Sequence, residues 1–139
     1  MRILCLIVAL FAVARGAHAD PTLRVIVHPK NPITTLSKQF VADAFLKKRT
    51  RWSDDTVIQP VDLPQKHSVR AKFCKAVLDR DVGAVRRYWA QLVFSGRGVP
   101  PPDVASEDEV VAYVAKHPGS IGYVTSTVTL TGVKAVGVE

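Results

Sequence analysis

The sequence predicts one α/β domain, a mixed β-sheet flanked by helices. Three observations carry this. Runs rich in β-branched residues occur at Leu23–Val27, Thr56–Val61, Ile121–Val124 and Val128–Val138. Four segments between them repeat apolar residues at helical spacing. The resulting order, β-α-β-α-α-α-β-β, has no internal repeat, low-complexity tract or linker, which suits a single sheet covered by helices.

The first nineteen residues stand apart. Arg2 is followed by the apolar run Ile3–Ala14 and then by Ala17-His18-Ala19. A basic start, an apolar middle and a small-x-small end make a secretory signal peptide over residues 1–19, with cleavage before Asp20. The run is shorter than the roughly 20 apolar residues of a spanning helix. No second long apolar stretch follows, so no membrane span is expected. Cys5 opens the run instead of closing it, which does not suit a lipoprotein site. The expected mature protein, residues 20–139, is free in the periplasm or secreted.

That mature part has 120 residues, a common size for one domain. It keeps a single cysteine, Cys74, so no internal disulfide is available and the core alone holds the fold. Cys74 falls among apolar helix positions and reads as a small buried hydrophobe. Loss of Arg2 and Arg15 leaves 17 basic residues against 12 acidic, a net charge of +5 with neutral histidines. A basic surface favours anions: phosphate-like solutes, acidic partners, anionic lipid headgroups or nucleic acid. Export makes nucleic acid the poorest fit.

Leu23–Val27 reads as a strand buried on most sides, ended by His28-Pro29-Lys30-Asn31-Pro32. Ser37 is the predicted N-cap of the next helix, with Leu36 and Val41 placed for a hydrophobic staple. Phe40, Val41, Ala44 and Phe45 form its core face. The basic run Lys47–Arg51 and Trp52 follow. They read either as a patch for an acidic partner or membrane surface, or as an ordinary charged helix end with Trp52 in the core. Thr56–Val61 is a second strand that Pro60 confines to an edge or a strand end.

After the loop Asp62–His67, Ser68 is placed to cap a helix whose face is Val69, Phe73, Val77 and Leu78. Asp79–Gly83 is a break. Val85, Tyr88, Trp89, Leu92 and Val93 mark the next amphipathic helix. Ser95–Pro102 is a turn and a stiff extended piece. Ser106 and Glu109 make a capping box for a helix that buries Val110, Val111 and Val114 and stops at His117-Pro118-Gly119. Ile121–Val124 is a short strand with a close-approach glycine at Gly122, and Val128–Val138 supplies the last strand.

Three stretches together resemble the phosphate-binding proteins of ABC transporters. The first runs from Leu36-Ser37 through Ala44-Phe45-Leu46 to Trp52-Ser53-Asp54, similar to that family's helix ending in Ile-Phe-x-Gly-Lys with a nearby Trp and Asp. The second runs from Pro60-Val61-Asp62 through Ser68-x-Arg70-x-x-Phe73 to Val77-Leu78, similar to the segment carrying the family's Ser-Gly-Thr phosphate loop. The third, His117-Pro118-Gly119-Ser120-Ile121-Gly122-Tyr123-Val124, is close to the family's Pro-Gly-Ala-Ile-Gly-Tyr-Val. The resemblance implies a type II periplasmic binding protein fold. All three stretches belong to the second of the family's two lobes, and 120 residues leave no room for the other. The expectation is therefore a single lobe, in which closure of two lobes on a ligand cannot occur within one chain.

The resemblance also points to a site: Lys66, His67, Ser68, Val69 and Arg70, where a loop enters a helix. Helix N-termini offer free N–H groups and partial positive charge to an anion. Ser68 can donate a hydroxyl, Arg70 can pair two oxygens and Lys66 can add charge. The chain departs from the family pattern here. Asp62-Leu63 stands where the family has an Arg, and His67-Ser68-Val69 where it has Ser-Gly-Thr. The bland alternative makes Ser68 a helix cap and Arg70, Lys72 and Lys75 a solvated face.

His28, His67 and His117 are far apart and no Cys, Asp or Glu completes a metal-ligand spacing. There is no Gly-x-Ser-x-Gly elbow. The expectation is a non-enzyme without cofactor: a solute-binding-like module with weak affinity for phosphate or a similar anion, accessory to transport or sensing. The rival is a protein-interaction module of the cell envelope that has lost ligand binding, its inner face covered by a partner protein or a second copy.

Overall fold

The computed structural model describes residues 22–139; the signal peptide expected over residues 1–19 lies outside them. In chain order the elements are β1 (Leu23–Val27), β2 (Thr35–Leu36), α1 (Lys38–Phe45), β3 (Gln59–Pro60), α2 (Ser68–Val77), α3 (Val82–Phe94), α4 (Glu107–Lys116), β4 (Ser120–Thr125) and β5 (Lys134–Val138). One five-stranded sheet has the order β2-β5-β1-β4-β3. Pairing of β1 with β4 and β5 is antiparallel, and β2–β5 and β3–β4 are parallel, so the sheet is mixed.

The most apolar strands take the central places. Val25, Ile26 and Val27 are buried in β1, and every residue of β4 is buried. Burying one such Val or Ile contributes about 1.5–3 kcal/mol. Gly122 in β4 is fixed by packing: a Cβ there would lie 2.7 Å from Val110 Cγ1 on α4 and 3.2 Å from Val61. Phe73 of α2 stacks flat on Tyr123 of β4 at 3.8 Å between ring centroids, and Phe45 of α1 meets Phe73 edge-on at 4.7 Å. Cys74 is buried beside them, and burial pushes its thiol up.

Several boundaries move from the sequence expectation. A two-residue strand, β2, precedes α1 and pairs with β5. The strand expected over 56–61 shrinks to Gln59–Pro60, because the start of the run pairs locally: Val57 bridges antiparallel to Arg51 and the Ile58 N–H donates to Thr50 O at 2.9 Å. The strand does lie at an edge. The last strand begins only at Lys134, after a turn with Gly132 at φ 69°. Ser37 caps α1 as expected, accepting from the Phe40 N–H at 3.0 Å. On α4, Ser106 accepts from Glu109 N–H at 3.2 Å, but the Glu109 carboxylate takes the Ala105 N–H at 2.7 Å instead of that of Ser106.

The face expected on α3 is only partly buried. Val85 and Trp89 enter the core, Tyr88 and Leu92 are half-buried, and Val93 is exposed. The reason is tertiary: among the elements of the fold α3 packs chiefly on one neighbour, α2. Trp52 is core, its indole N–H donating to Gly119 O at 2.9 Å while Phe40 stacks on it at 5.5 Å. Lys47–Arg51 lies past the end of α1 and is exposed.

Candidate functional site

The loop between β3 and α2 is anchored from below. Gln59 and Val61 N–H groups donate to Gly119 and Ile121 carbonyls at 2.9 and 3.0 Å, so the chain leaves the sheet edge at Asp62. Asp62 bridges to Asp103, its N–H donating to Pro102 O at 2.9 Å and its carbonyl accepting from Val104 N–H at 3.0 Å. The loop turns over at Pro64–His67, where the His67 N–H donates to Pro64 O at 2.9 Å, and enters α2.

Two of the expectations for this loop are corrected. Ser68 is not the cap. His67 holds the N-cap position, and its ring Nδ1 accepts from the Val69 N–H at 3.2 Å. An imidazole nitrogen here does what a hydroxyl was expected to do, and Ser68 becomes the first helical residue with an exposed side chain. Arg70 is the second correction. It is neither on a solvated face nor turned to solvent as an anion ligand: the residue is 7% exposed.

Arg70 turns inward instead. Its Nη1 donates to Leu63 O at 2.7 Å, and Nη2 lies 3.6 Å from Asp62 Oδ2. Asp62 is buried as well, and its Oδ1 accepts from the Leu63 N–H at 2.8 Å and from the Tyr123 hydroxyl. Burial pushes the Asp62 carboxyl up, and Arg70 and the Tyr123 hydroxyl pull it back. Burial beside Asp62 pushes the Tyr123 phenol far up, so it remains a donor. Arg70 Nε is buried without a partner among the described residues. The Asp62–Arg70–Tyr123 cluster is thus an internal charge pair with a hydroxyl, and Arg70's charge is already matched.

The five expected residues therefore separate. Lys66, His67 and Ser68 lie at the surface around the start of α2, while Val69 and Arg70 face the interior. What remains for an anion is the Lys66 ammonium, the Ser68 hydroxyl and the helix start itself. A cleft of about 330 Å³ adjoins this loop, bordered by Gln65, Arg70, Arg86, Trp89, Asp103 and the Pro100–Pro102 segment. The sequence reading missed Tyr123 as Asp62's partner. The signal available was an Asp in the place of the family's Arg together with a nearby Arg70, a pair that invites neutralisation.

The histidines serve local bonds. His28 Nδ1 accepts from Lys30 N–H at 3.1 Å, and His117 Nδ1 lies 2.7 Å from Tyr113 O. Among the described residues no group of three or more His, Cys, Asp or Glu gathers to hold a metal. None of the described helices is long and apolar enough to cross a membrane.

No family model matches the chain. No curated protein matches it either. Solved structures do. An ABC-type phosphate transport receptor from Vibrio cholerae superposes with a TM-score of 0.68 at 19% identity, over 85% of this chain and 46% of the receptor. A Clostridium perfringens protein, assigned to the phosphate ABC transporter substrate-binding proteins and solved with bound phosphate, gives 0.68 at 20% identity, over 85% and 45%. PstS from Borrelia burgdorferi gives 0.66 at 15%, over 86% and 47%. These neighbours are binding or transport-receptor proteins by description. The chain spans less than half the length of each. At such identity the likeness is one of fold, and the fold of residues 22–139 is that of one lobe of a type II periplasmic binding protein.

Proposed function

We propose that this chain is an exported, periplasmic, non-catalytic solute-binding-like module that binds phosphate or a related small anion weakly at the start of α2, as an accessory to transport or sensing. The observation that supports this is the superposition, across most of the chain, on receptors described by phosphate transport or solved with phosphate. In this chain the helix start that follows the β3 edge carries Lys66 and Ser68 at the surface.

The same geometry sets the strength. With Arg70 committed to Asp62, the anion meets one flexible ammonium, one hydroxyl and a helix terminus. Exposed charge pairs contribute about 0–1 kcal/mol each and a helix terminus about 0.3–1 kcal/mol. A dissociation constant of about 1 mM, or roughly −4 kcal/mol, is the upper end of what such a set supplies.

Titration of the amide NMR spectrum with phosphate at constant ionic strength tests the reading. Shifts concentrated at Lys66–Val69, saturating in the millimolar range and reduced by Lys66→Ala, are expected. A spectrum unchanged at tens of millimolar phosphate sinks the anion site and leaves the interaction-module alternative. Export is tested separately: protein recovered from a periplasmic extract is expected to begin at Asp20, and an intact N-terminus in the cytosolic fraction rules the export out.

A further inference from the structure

The α3 C-terminus and the loop after it have no role in the reading above. Residues 82–102 contain Arg86, Arg87 and Arg97 and no Asp or Glu. Among the described residues none of these arginines joins an ion pair. Arg97 makes only a bond from Nε to the Ser95 hydroxyl at 3.1 Å. Asp103 shares the adjoining cleft with Arg86 but makes no ion pair with it.

The apolar residues of this stretch are the most exposed of the fold. Phe94 is 95% exposed, Val99 69% and Val93 52%. At 100° per residue Arg86, Ala90 and Phe94 fall on one side of α3, turned away from the buried Val85, and Val93 lies at the border between that side and the core face. The chain then reverses through Gly96 at φ 68°, and Arg97 N–H donates to Leu92 O at 2.9 Å. The reversal holds Arg97 beside the last helical turn. Phe94 and Val99 thus lie exposed at the C-terminal end of α3 with Arg97 beside them, and Arg86 and Arg87 follow about two turns back along the same helix.

We infer that this end of α3 docks on an anionic lipid bilayer surface, with Phe94, Val93 and Val99 entering the boundary between headgroups and acyl chains and Arg86, Arg87 and Arg97 meeting lipid phosphates. A bilayer accepts an exposed apolar tip without a matching pocket, whereas a protein partner must supply one for Phe94. Arginines of one charge sign along this stretch complement a uniformly anionic plane. A second copy fits poorly, because an isologous contact through the tip sets arginine against arginine.

The test is co-sedimentation with vesicles, using purified wild type and variants that share the same N-terminus. Binding to vesicles of equal phosphatidylglycerol and phosphatidylcholine is expected, with little to phosphatidylcholine alone, and with loss at about 0.5 M salt. Phe94→Ser is expected to weaken it by about tenfold or more, and Arg86→Ala or Arg97→Ala by about fivefold each. Phe94 and these arginines lie outside the core, so circular dichroism is expected to stay native. Lys66→Ala is expected to keep vesicle binding while losing phosphate shifts, which separates this inference from the anion site. Wild type that ignores phosphatidylglycerol vesicles, or Phe94→Ser and Arg97→Ala that bind like wild type, overturns it. So does wild type that forms a Phe94-dependent dimer and leaves the vesicles unbound.

Discussion

Arg70 on α2 and Arg86 on α3 border the same cleft, and the two helices that carry them pack side by side. Their surroundings are opposite. Arg70 is buried against Asp62 and the Leu63 carbonyl, and Asp62 in turn accepts from the Tyr123 hydroxyl. Arg86 sits on an exposed face with no ion pair among the described residues. The same side chain is an internal fastener in one helix and a free surface charge in the next. Burial decides which: an enclosed guanidinium requires a matched carboxylate, and an exposed one is satisfied by water.

Breaking the inner pair gives the largest expected effect. Arg70→Ala leaves Asp62 buried without its counter-charge and is expected to lower unfolding free energy by about 3–5 kcal/mol, read by urea denaturation. Combined with Asp62→Asn, the loss is expected to fall short of the sum of the single losses, since the two residues share one interaction. Additive losses contradict the pairing. Tyr123→Phe removes one hydroxyl donor while keeping the ring stacked on Phe73, so about 1–2 kcal/mol is expected in the same assay. The outer arginine sharpens the contrast: Arg86→Ala is expected to change stability by less than about 0.5 kcal/mol. A loss as large as that of Arg70→Ala would erase the distinction between the two helices.

The pairing also bears on the proposed anion site. A helix start in this position has a basic residue within reach in Arg70, yet the neighbouring carboxylate turns it inward. Asp62, at the loop's first position, holds the Arg70 guanidinium inside the fold. Restoring a free cation there requires a change at Asp62, and the accompanying loss of stability is the obstacle to it.

Local chemistry made much of this protein legible before any coordinates. The β-branched runs, the apolar periodicity of four helices, Ser37 and Ser106 as caps, Pro60 at an edge and Gly122 at a close approach all depend on neighbours a few residues away or on intrinsic backbone limits. The mixed sheet followed from their order, and the lobe-like fold from the resemblance of three stretches to a known family. The cap of α2 was misplaced by one residue, because a histidine ring nitrogen can do a hydroxyl's work and propensity does not announce it.

Only the tertiary structure decided which side chains face inward from α2 and α3. Asp62 and Tyr123 are 61 residues apart, and nothing local tells that their meeting point lies under Arg70. Val93 belongs to an apolar pattern that the sequence assigns to a core, yet it is exposed, as is its neighbour Phe94. Periodicity fixes which residues share a face. Whether that face meets protein, solvent or another surface depends on what the rest of the chain brings to it, and that is a property of packing at long range.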